Sequence, residues 1–323
     1  MPRRDQTVLI NDRQLILSNL DKTLWPEAGF TKATLLQYYA KIYPYLAPYL
    51  KDRPLVVTRW PDGITGKHFY QKNAPSYAPE WVETFTIDAE GGGRRINYII
   101  CNNLETLLWL GNLACLELHP WLSTCQRIDY PSFLVFDLDP SGEDDFPQVR
   151  EIALLMRELL LRLGLESYPK TSGATGMHIY VPLAPIYSYA EVRQVGERIA
   201  TMLVKVVPNW ATIERSVKQR RGKVYLDYMQ NVRGQTLCAP YSPRPRAGGT
   251  VSTPLTWDEV PTVLPGKFTI ISVLERAQRM GDLFAPVLTT VQTLEQAQEL
   301  LAISLATNTS PKEESLFRAA NKS

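Results

Sequence analysis

The succession of strand and helix patterns between residues 132 and 229 limits the fold of this chain more than any other feature of its sequence. Six segments have the apolar period of either a strand or a helix, and in chain order they are strand 132–139, helix 147–163, strand 165–171, strand 177–183, helix 189–207 and strand 223–229. Pro147 at the start of the first helix and Gly164 directly after its end delimit that helix. The sequence therefore predicts a β-α-β-β-α-β unit.

This order is that of the ferredoxin-like unit, whose first strand is central and lies between the third and the fourth. Asp137 and Asp139 end the first strand pattern, His178 belongs to the third and Asp227 to the fourth. Side chains on a strand alternate between faces, so the two aspartates share a face while Leu138 points the other way. We therefore expect four polar side chains to converge on one face of the sheet.

Asp137 and Asp139 have only one residue between them, so their carboxylates repel one another unless a cation lies between them. Carboxylate oxygens favour hard divalent ions. With Asp227 as a third ligand, the site would suit two metal ions about 4 Å apart, an arrangement that supports in-line phosphoryl transfer. The alternative for the first two residues is an ionised strand end that caps the following turn.

A glycine-containing turn follows the second strand pattern. Ser172 offers a hydroxyl group, and Gly173 and Gly176 allow backbone N–H groups to approach an anion closely. His178, just after the turn, is expected to donate a hydrogen bond to a phosphate oxygen. The alternative is an ordinary turn between two strands.

Basic residues concentrate between residues 201 and 250, although the net charge of the whole chain is only +2. Nine basic residues lie there against two acidic residues. Such a local excess favours a polyanionic partner, and Arg220, Lys223 and Arg244 are expected to neutralise a triphosphate or a nucleic-acid backbone. The alternative is a solvated basic face.

The composition is that of an ordinary globular protein, with 45% hydrophobic and 21% charged residues among 323. No apolar run approaches the roughly 18 residues that a membrane span requires, and the start of the chain has no apolar signal segment. We therefore expect a cytoplasmic protein. Cys115, His119 and Cys125 match no standard spacing of a structural zinc site, so we expect reduced thiols.

Further helices are expected at 31–50, with Thr31 as N-cap and an interruption at Pro44, at 102–118, and around 270–281 and 291–305. Strands are expected in LVVTRWPDG and ETFTID. We predict one domain over 1–305. Its parts are an N-terminal lobe at about 1–125, a catalytic core at about 126–260, C-terminal helices at about 265–305, and a flexible tail at 306–323.

Four motifs, in their order and spacing, resemble the polymerase domain of bacterial DNA ligase D: FDLDP, TSGATGMHIYVPL, KVYLDYMQN and APYSPR. That domain belongs to the archaeo-eukaryotic primase superfamily and acts in non-homologous end joining. The segments NLDKTLWPEAGFTK, RPLVVTRWPDG and LELH are also similar to that family. The resemblance implies an α+β fold, with a primase-like catalytic core built on the β-α-β-β-α-β sheet and an N-terminal α/β lobe.

The resemblance also implies roles for individual residues. Asp137, Asp139 and Asp227 match the catalytic metal ligands. The predicted nucleotide-binding residues are His119, Ser172, His178, Arg220, Lys223, Gln230 and Arg244. The predicted DNA-binding residues are Asn19, Lys22, Lys32, Arg59, Phe69 and Tyr70. Among these, the two lysines match residues that recognise a 5′-phosphate, and the two aromatic residues match a pair that lies against the template.

Members of this family use divalent metal, so we expect two ions per active site, Mn²⁺ in preference to Mg²⁺, and a preference for ribonucleotides. The implied partners are NTP or dNTP and DNA ends with a 5′-phosphate, gapped or with a 3′-overhang. A separate ATP-dependent DNA ligase, a Ku-type end-binding protein and association with the bacterial nucleoid are also implied. The chain departs from the family at Thr175, where a lysine is common, and its length leaves no room for a ligase domain.

Two other functions are compatible with parts of the sequence. The segment FLVFDLDPS partly matches the haloacid-dehalogenase signature, in which Asp137 would be a nucleophile, but Pro140 and Ser141 stand where that signature requires threonine or valine. A non-catalytic scaffold that bridges DNA ends would account for the basic segments. It would leave the converging aspartates unexplained, because bare carboxylates repel phosphates.

Overall fold

The structure, a computed structural model, describes residues 5–88, 95–142, 145–220 and 222–306. The predicted flexible tail therefore lies almost wholly outside the described residues. Within them the strands are β1 (Gln6–Ile10), β2 (Arg13–Leu17), β3 (Thr23–Trp25), β4 (Phe30–Thr31), β5 (Pro54–Arg59), β6 (Phe69–Gln71), β7 (Thr84–Asp88), β8 (Arg95–Ile100), β9 (Cys115–Pro120), β10 (Phe133–Asp139), β11 (Tyr168–Thr171), β12 (Met177–Pro182), β13 (Ala211–Thr212) and β14 (Val224–Asp227). The helices are α1 (Lys32–Leu50), α2 (Leu104–Asn112), α3 (Phe146–Arg162), α4 (Tyr189–Val206), α5 (Val217–Arg220), α6 (Ser272–Met280), α7 (Pro286–Thr289) and α8 (Glu295–Ala306).

The central sheet has the strand order β11-β12-β10-β14-β13. Strand β10 is antiparallel to β12 on one side and to β14 on the other. The predicted β-α-β-β-α-β order and the central place of its first strand are therefore confirmed. The two-residue strand β13, parallel to β14, extends the edge and was not predicted.

Helices α3 and α4 are amphipathic and cover the central sheet with their apolar faces. Val149, Ile152 and Met156 of α3 are fully buried, as is Ile199 of α4. Helix α4 begins at a capping box in which Ser188 Oγ accepts from Glu191 N–H and the Glu191 carboxylate accepts from Ser188 N–H. The sequence pattern alone located both helices to within one residue.

The N-terminal sheet has the order β6-β5-β8-β7, and β9 also pairs with β5. The predicted helix at 102–118 is wrong beyond Asn112, because residues 115–120 form strand β9 instead. Ala114, with φ of 57°, breaks the helical backbone, and pairing with β5 gives the next six residues a ladder of hydrogen bonds. The predicted N-cap region is correct, since Asn103 Oδ1 accepts from Thr106 N–H at 2.9 Å.

The predicted interruption of α1 at Pro44 is also wrong, because the helix runs without a break through Pro44 and Pro48. Both prolines lie on the exposed side of the helix, four residues apart. Carbonyl groups that lose their partner there face water, while Ile42 and Leu46 anchor the opposite side in the core. Thr31 caps the helix as expected.

The segment after β14 joins the two sheets. Ala239 N–H donates to Leu118 O of β9 at 2.9 Å, and Leu255 N–H donates to Pro169 O of β11 at 3.0 Å. Apolar residues of both sheets, including Leu118 and Val135, belong to one buried cluster. The boundaries of the lobes within a single domain stay a prediction.

The side chain of Asn231 forms hydrogen bonds with backbone groups of β10 where the pairing of β10 with β14 ends. The Val135 N–H donates to Asn231 Oδ1 at 2.9 Å, and Asn231 Nδ2 donates to Val135 O at 2.7 Å and to Tyr228 O at 2.9 Å. Asn231 is fully buried, so the groups that it satisfies have no access to water.

We expect Asn231→Ala to lower the free energy of unfolding by about 3 kcal/mol, because it leaves buried backbone groups unpaired. Urea unfolding followed by circular dichroism measures this loss. The exposed Asn209→Ala is the matched control and should change stability by less than about 0.5 kcal/mol. Equal losses in the two variants would contradict the role of Asn231.

Candidate active site and nucleic-acid surface

Strand β10 places Asp137 between the two residues that the sequence analysis expected as its neighbours. In the strand register Asp137 lies opposite His178 of β12 and also opposite Asp227 of β14. Asp139 lies opposite Tyr225, and the fully buried Leu138 separates the two aspartates. Asp137, His178 and Asp227 are therefore neighbours across three strands, as predicted, and Asp139 lies two residues further along β10.

These carboxylates are costly to ionise together. Burial raises the pKa of Asp137, although nearby positive charges, foremost Lys170, oppose the shift. Burial raises the pKa of Asp139 and of Asp227 as well, and the charge of Asp137 adds to both shifts. A bound cation would remove this repulsion, since an opposite charge favours the ionised carboxylate.

The arrangement of the carboxylate oxygens is not that of a closed metal cage. Asp227 Oδ1 accepts from Met229 N–H at 2.8 Å, and Asp227 Oδ2 accepts from Gln230 Nε2 at 3.0 Å. Among the described residues, no three or more His, Cys, Asp or Glu side chains are grouped to hold a metal ion. Asp137 Oδ1 is nevertheless buried without a hydrogen bond, at 3.3 Å from His178 Nε2. An all-oxygen donor set with an unsatisfied buried oxygen fits a hard divalent ion.

The turn after β11 packs tightly against β10. Ser172 Oγ accepts from Ala174 N–H at 3.1 Å and from Gly176 N–H at 3.0 Å. These two N–H groups therefore face the serine rather than an anion, and the hydroxyl hydrogen of Ser172 is available to donate. Gly176 is required for space, because a Cβ there would lie 2.3 Å from Leu138 O.

Arg244 connects this turn to strand β9. Its Nη1 donates to Ser172 O at 3.2 Å, and its Nε lies 3.1 Å from Oε1 of the buried Glu117. His119 follows two residues later on the same strand, and burial together with the charge of Arg244 lowers the pKa of His119 to about 3. The imidazole of His119 is therefore neutral at physiological pH.

The remaining predicted nucleotide-binding residues surround Asp227 and Tyr225. The guanidinium carbon of Arg220 lies 4.0 Å from the centre of the Tyr225 ring, and Tyr225 pairs with Asp139. Lys223 lies on the chain directly before β14, and its carbonyl accepts from Ser141 Oγ at 2.6 Å. Gln230 contacts the Asp227 carboxylate itself.

Asn19, Lys22 and Lys32 come together at the hairpin formed by β3 and β4. Lys22 N–H donates to Asn19 O at 3.1 Å, and Lys32 N–H donates to Lys22 O at 2.8 Å. The Lys22 ammonium pairs with Asp62 at 2.7 Å on the surface. Lys32 Nζ instead donates to Ser18 O at 2.7 Å and to Asn112 O at 2.8 Å.

Lys32 is only 5% exposed. Burial, aided by the charge of Lys22, lowers its pKa to about 8. Two of its three N–H groups are donated to Ser18 O and Asn112 O, so at most one can face a phosphate. Lys22 is therefore the more accessible of the two predicted phosphate contacts.

Arg59, Phe69 and Tyr70 form a neighbouring surface on β5 and β6. Arg59 lies opposite Phe69 in the strand register, and its Nη1 donates to Tyr77 OH at 2.9 Å. Phe69 and Tyr70 are 55% and 57% exposed, which is unusual for adjacent aromatic residues on a strand. Exposed aromatic rings beside basic side chains suit stacking against nucleic-acid bases.

The hairpin also contacts the segment that carries Arg244. Trp25 Nε1 donates to Arg244 O at 3.1 Å. The ring of Phe30 lies against Gly249, where an added Cβ would be 2.8 Å from Phe30 Cδ2. The hairpin that carries the predicted phosphate-binding lysines is therefore packed directly against the segment that carries Arg244.

Residues 31–284 match the family described as "LigD, primase-polymerase domain". This chain belongs to that family. Primase-polymerases of the LigD family are nucleotidyltransferases that use divalent metal, and this chain is an enzyme of that class.

Relatives of this LigD primase-polymerase domain are longer multidomain proteins. The chain is 38% identical over 270 residues to the bifunctional non-homologous end joining protein LigD of Bacillus subtilis, covering 83% of this chain and 43% of that protein. It is 38% identical over 273 residues to the multifunctional LigD of Mycolicibacterium smegmatis, covering 84% of this chain and 36% of that protein. The chain thus spans about two fifths of the length of these relatives.

A solved structure has the same fold. The polymerase domain of Mycobacterium tuberculosis ligase D in complex with DNA superposes with a TM-score of 0.79 at 32% sequence identity, covering 84% of this chain and 97% of that one. The predicted α+β primase-like fold is therefore confirmed. Membership of the LigD family argues against the haloacid-dehalogenase alternative. No helix in the described part of this LigD-type chain is long and apolar enough to cross a membrane.

Sequence reasoning missed two side chains of this LigD-type site. Glu117 lies within the expected helix 102–118, where its alternation with His119 on a strand was not visible. Lys170 lies opposite His178 in the register of β11 and β12, a pairing that the strand order alone does not supply. Burial lowers the pKa of Lys170 to about 7. Working out the register of β11 and β12 would have identified it.

We expect Gly176→Ala to reduce primer extension by about 100-fold, because the new methyl group would displace β10 and with it the carboxylates. Steady-state extension of a primer–template measures the loss. Gly266→Ala is the matched control, since no atom lies within 4 Å of a Cβ added there. Activity of Gly176→Ala within twofold of the control would contradict the tight packing of the turn.

Proposed function

We propose that this chain is a template-directed polymerase that fills gaps and extends ends in the repair of DNA double-strand breaks by non-homologous end joining. The observation that carries the proposal is the position of Asp137, opposite His178 and Asp227 on a sheet face beside Arg244. The LigD relatives are non-homologous end joining proteins. The solved neighbour is a polymerase domain in complex with DNA.

In this proposal the three aspartates Asp137, Asp139 and Asp227 hold two divalent ions, Mn²⁺ in preference to Mg²⁺. Bound ions of this kind supply charge neutralisation of the triphosphate and activation of the primer 3′-hydroxyl. Asp227 Oδ2, which accepts from Gln230 Nε2, would have to lose that hydrogen bond in order to hold an ion. The raised pKa of all three carboxylates means that their ionised forms are disfavoured when no cation is bound.

The triphosphate lies between the Ser172 turn and Arg244 in this proposal. Arg244 keeps its guanidinium in place through Glu117 and Ser172 O, and Ser172 has its hydroxyl hydrogen left to donate. His178 donates from the other side. The accessory groups are His119, Arg220, Lys223 and Gln230. Thr175 adds a hydroxyl where a lysine is common, and Arg220, whose guanidinium lies over the Tyr225 ring, supplies the compensating cation.

The DNA lies across the N-terminal sheet. Lys22, with one N–H group of Lys32 and the turn at Asn19, receives the 5′-phosphate beyond a gap. Phe69 and Tyr70 stack against the template beside Arg59. We further propose a preference for ribonucleotides, a cytoplasmic location at the nucleoid, and cooperation with an ATP-dependent ligase and a Ku-type end-binding protein.

The test is extension of a primer on a gapped, 5′-phosphorylated duplex with NTP or dNTP and either Mn²⁺ or Mg²⁺. Asp139→Asn, which removes one charge at nearly constant shape, should lower the rate by at least about 100-fold. The control Asp129→Asn breaks a surface ion pair with Arg233 and should leave the rate unchanged. Absence of extension by the unaltered chain would overturn the proposal, and duplex binding without extension would favour the end-bridging scaffold.

A second measurement addresses the 5′-phosphate. Lys22→Ala should abolish the preference for a 5′-phosphorylated over a 5′-hydroxyl gap and reduce the slope of log affinity against log salt by about 1. The exposed Lys41→Ala on α1 is the control and should retain the preference. If Lys22→Ala keeps both the preference and the slope, the phosphate site lies elsewhere.

A further inference from the structure

Lys170 has no exposed surface, and no carboxylate among the described residues contacts it. It lies on β11 and is 0% exposed. Its Nζ has three close polar neighbours: Cys238 O at 2.8 Å, Ser252 Oγ at 2.5 Å and His178 Nδ1 at 2.7 Å. A buried ammonium group is costly unless all its N–H groups are paired, and three neighbours match its three N–H groups.

Two of these neighbours can only accept a hydrogen bond from Lys170. The Cys238 carbonyl has no hydrogen to give. Ser252 Oγ donates its own hydrogen to Thr171 O at 2.9 Å, so it accepts from the lysine. Two N–H groups of Lys170 are therefore committed, and the third position of its nitrogen faces the histidine ring.

The other nitrogen of that ring faces the active site. His178 Nε2 lies 3.3 Å from Asp137 Oδ1. A carboxylate or a phosphate oxygen at this point accepts hydrogen bonds, so Nε2 must carry the hydrogen. A neutral imidazole has only one such hydrogen, which leaves Nδ1 as an acceptor. A second hydrogen on Nδ1 would point at the ammonium group of Lys170.

We propose that Lys170 is a positioning residue that donates to His178 Nδ1 and thereby holds His178 in the tautomer with its proton on Nε2, directed at the reacting phosphates. This inference rests on the proposed function for the identity of the acceptor, but the tautomer itself does not. Lys170 then donates to Cys238 O, Ser252 Oγ and His178 Nδ1, and the Nε2–H of His178 faces Asp137 Oδ1. The Tyr180 ring, with its centre 5.7 Å from Lys170 Nζ, lies within the range at which an aromatic ring stabilises a cation.

In the alternative assignment the imidazole hydrogen of His178 lies on Nδ1 and not on Nε2. A neutral amine at Lys170 would accept from Nδ1–H, and His178 would present a bare Nε2 to the site. In that case the histidine would repel a phosphate oxygen instead of donating to it. The two assignments therefore give opposite roles to His178, and a measurement of the tautomer separates them.

Nitrogen-15 NMR of the histidine rings measures the tautomer directly. The chain has three histidines, so one His178→Gln spectrum assigns the signals of His178. We expect protonated Nε2 and unprotonated Nδ1 in the unaltered chain near neutral pH. The reverse tautomer in that spectrum overturns the inference, and this result does not depend on enzymatic activity.

Lys170→Met, which keeps most of the side-chain volume, should give a mixture of tautomers or the reverse one. With NTP as substrate it should raise the KM about tenfold or more, because a hydrogen bond that fixes the donor is lost. Retention of the Nε2 tautomer in a folded Lys170→Met protein overturns the inference. Thermal unfolding and circular dichroism establish that the variant is folded.

Arg53→Met is the matched control for the loss of a buried cation. Arg53 is 5% exposed, donates to Trp121 O and lies over the Phe133 ring. It should lower stability without changing the tautomer of His178. A change of tautomer in Arg53→Met would mean that general loosening of the core moves the proton, and would overturn the specific role of Lys170. Failure of the proposed function would instead show as absent extension with the Nε2 tautomer intact.

Discussion

Pairing on both edges of one central strand is the constraint on which the site depends. Strand β10 contacts β12 and β14 through antiparallel ladders that meet at Asp137. A slip of one residue in either ladder would turn the carboxylates into the core and bring Leu138 to the surface. Two residues oppose such a slip. Leu138 is fully buried and would become exposed, and Asn231 would lose the hydrogen bond that it accepts from Val135 N–H of β10. The geometry of the site is therefore a property of the sheet and not of its loops.

The charges around β10 form a balanced set. Three buried or half-buried carboxylates stand against Lys170, Arg220 and Arg244, and these cations lower the pKa values that burial and mutual repulsion raise. Arg244 is in turn held by Glu117. The protein thus keeps anionic ligands for metal and cationic ligands for phosphate close together, separated by the fixed backbone of β9, β10 and the Ser172 turn. Burial of the carboxylates depends on the nearby cations, and burial of the cations depends on the carboxylates.

The sequence predicted the central sheet well, because strand period, helix period and delimiting residues such as Pro147 and Gly164 agree there. It placed Asp137, His178 and Asp227 as neighbours from strand order alone. It failed at 113–118, where apolar spacing continues the helix but pairing of β9 with β5 decides the backbone. It also missed Lys170 and Glu117, since the environment of a buried charge depends on register and on segments distant in the chain. The depth of Lys32 and the continuity of α1 through its prolines likewise follow from tertiary packing.

The long separation in sequence of the paired strands has a consequence for the order in which the molecule is assembled. Asp137 meets Asp227 and Arg244 only after the intervening helices have packed and the segment behind β14 has returned to β9. During synthesis from the N-terminus, chains that have not yet reached these residues contain the first pair of carboxylates but neither the third nor the arginine. Such non-local contacts form slowly because loop closure precedes the gain from pairing. The site is therefore among the last features of the chain to form, and incomplete chains do not possess it.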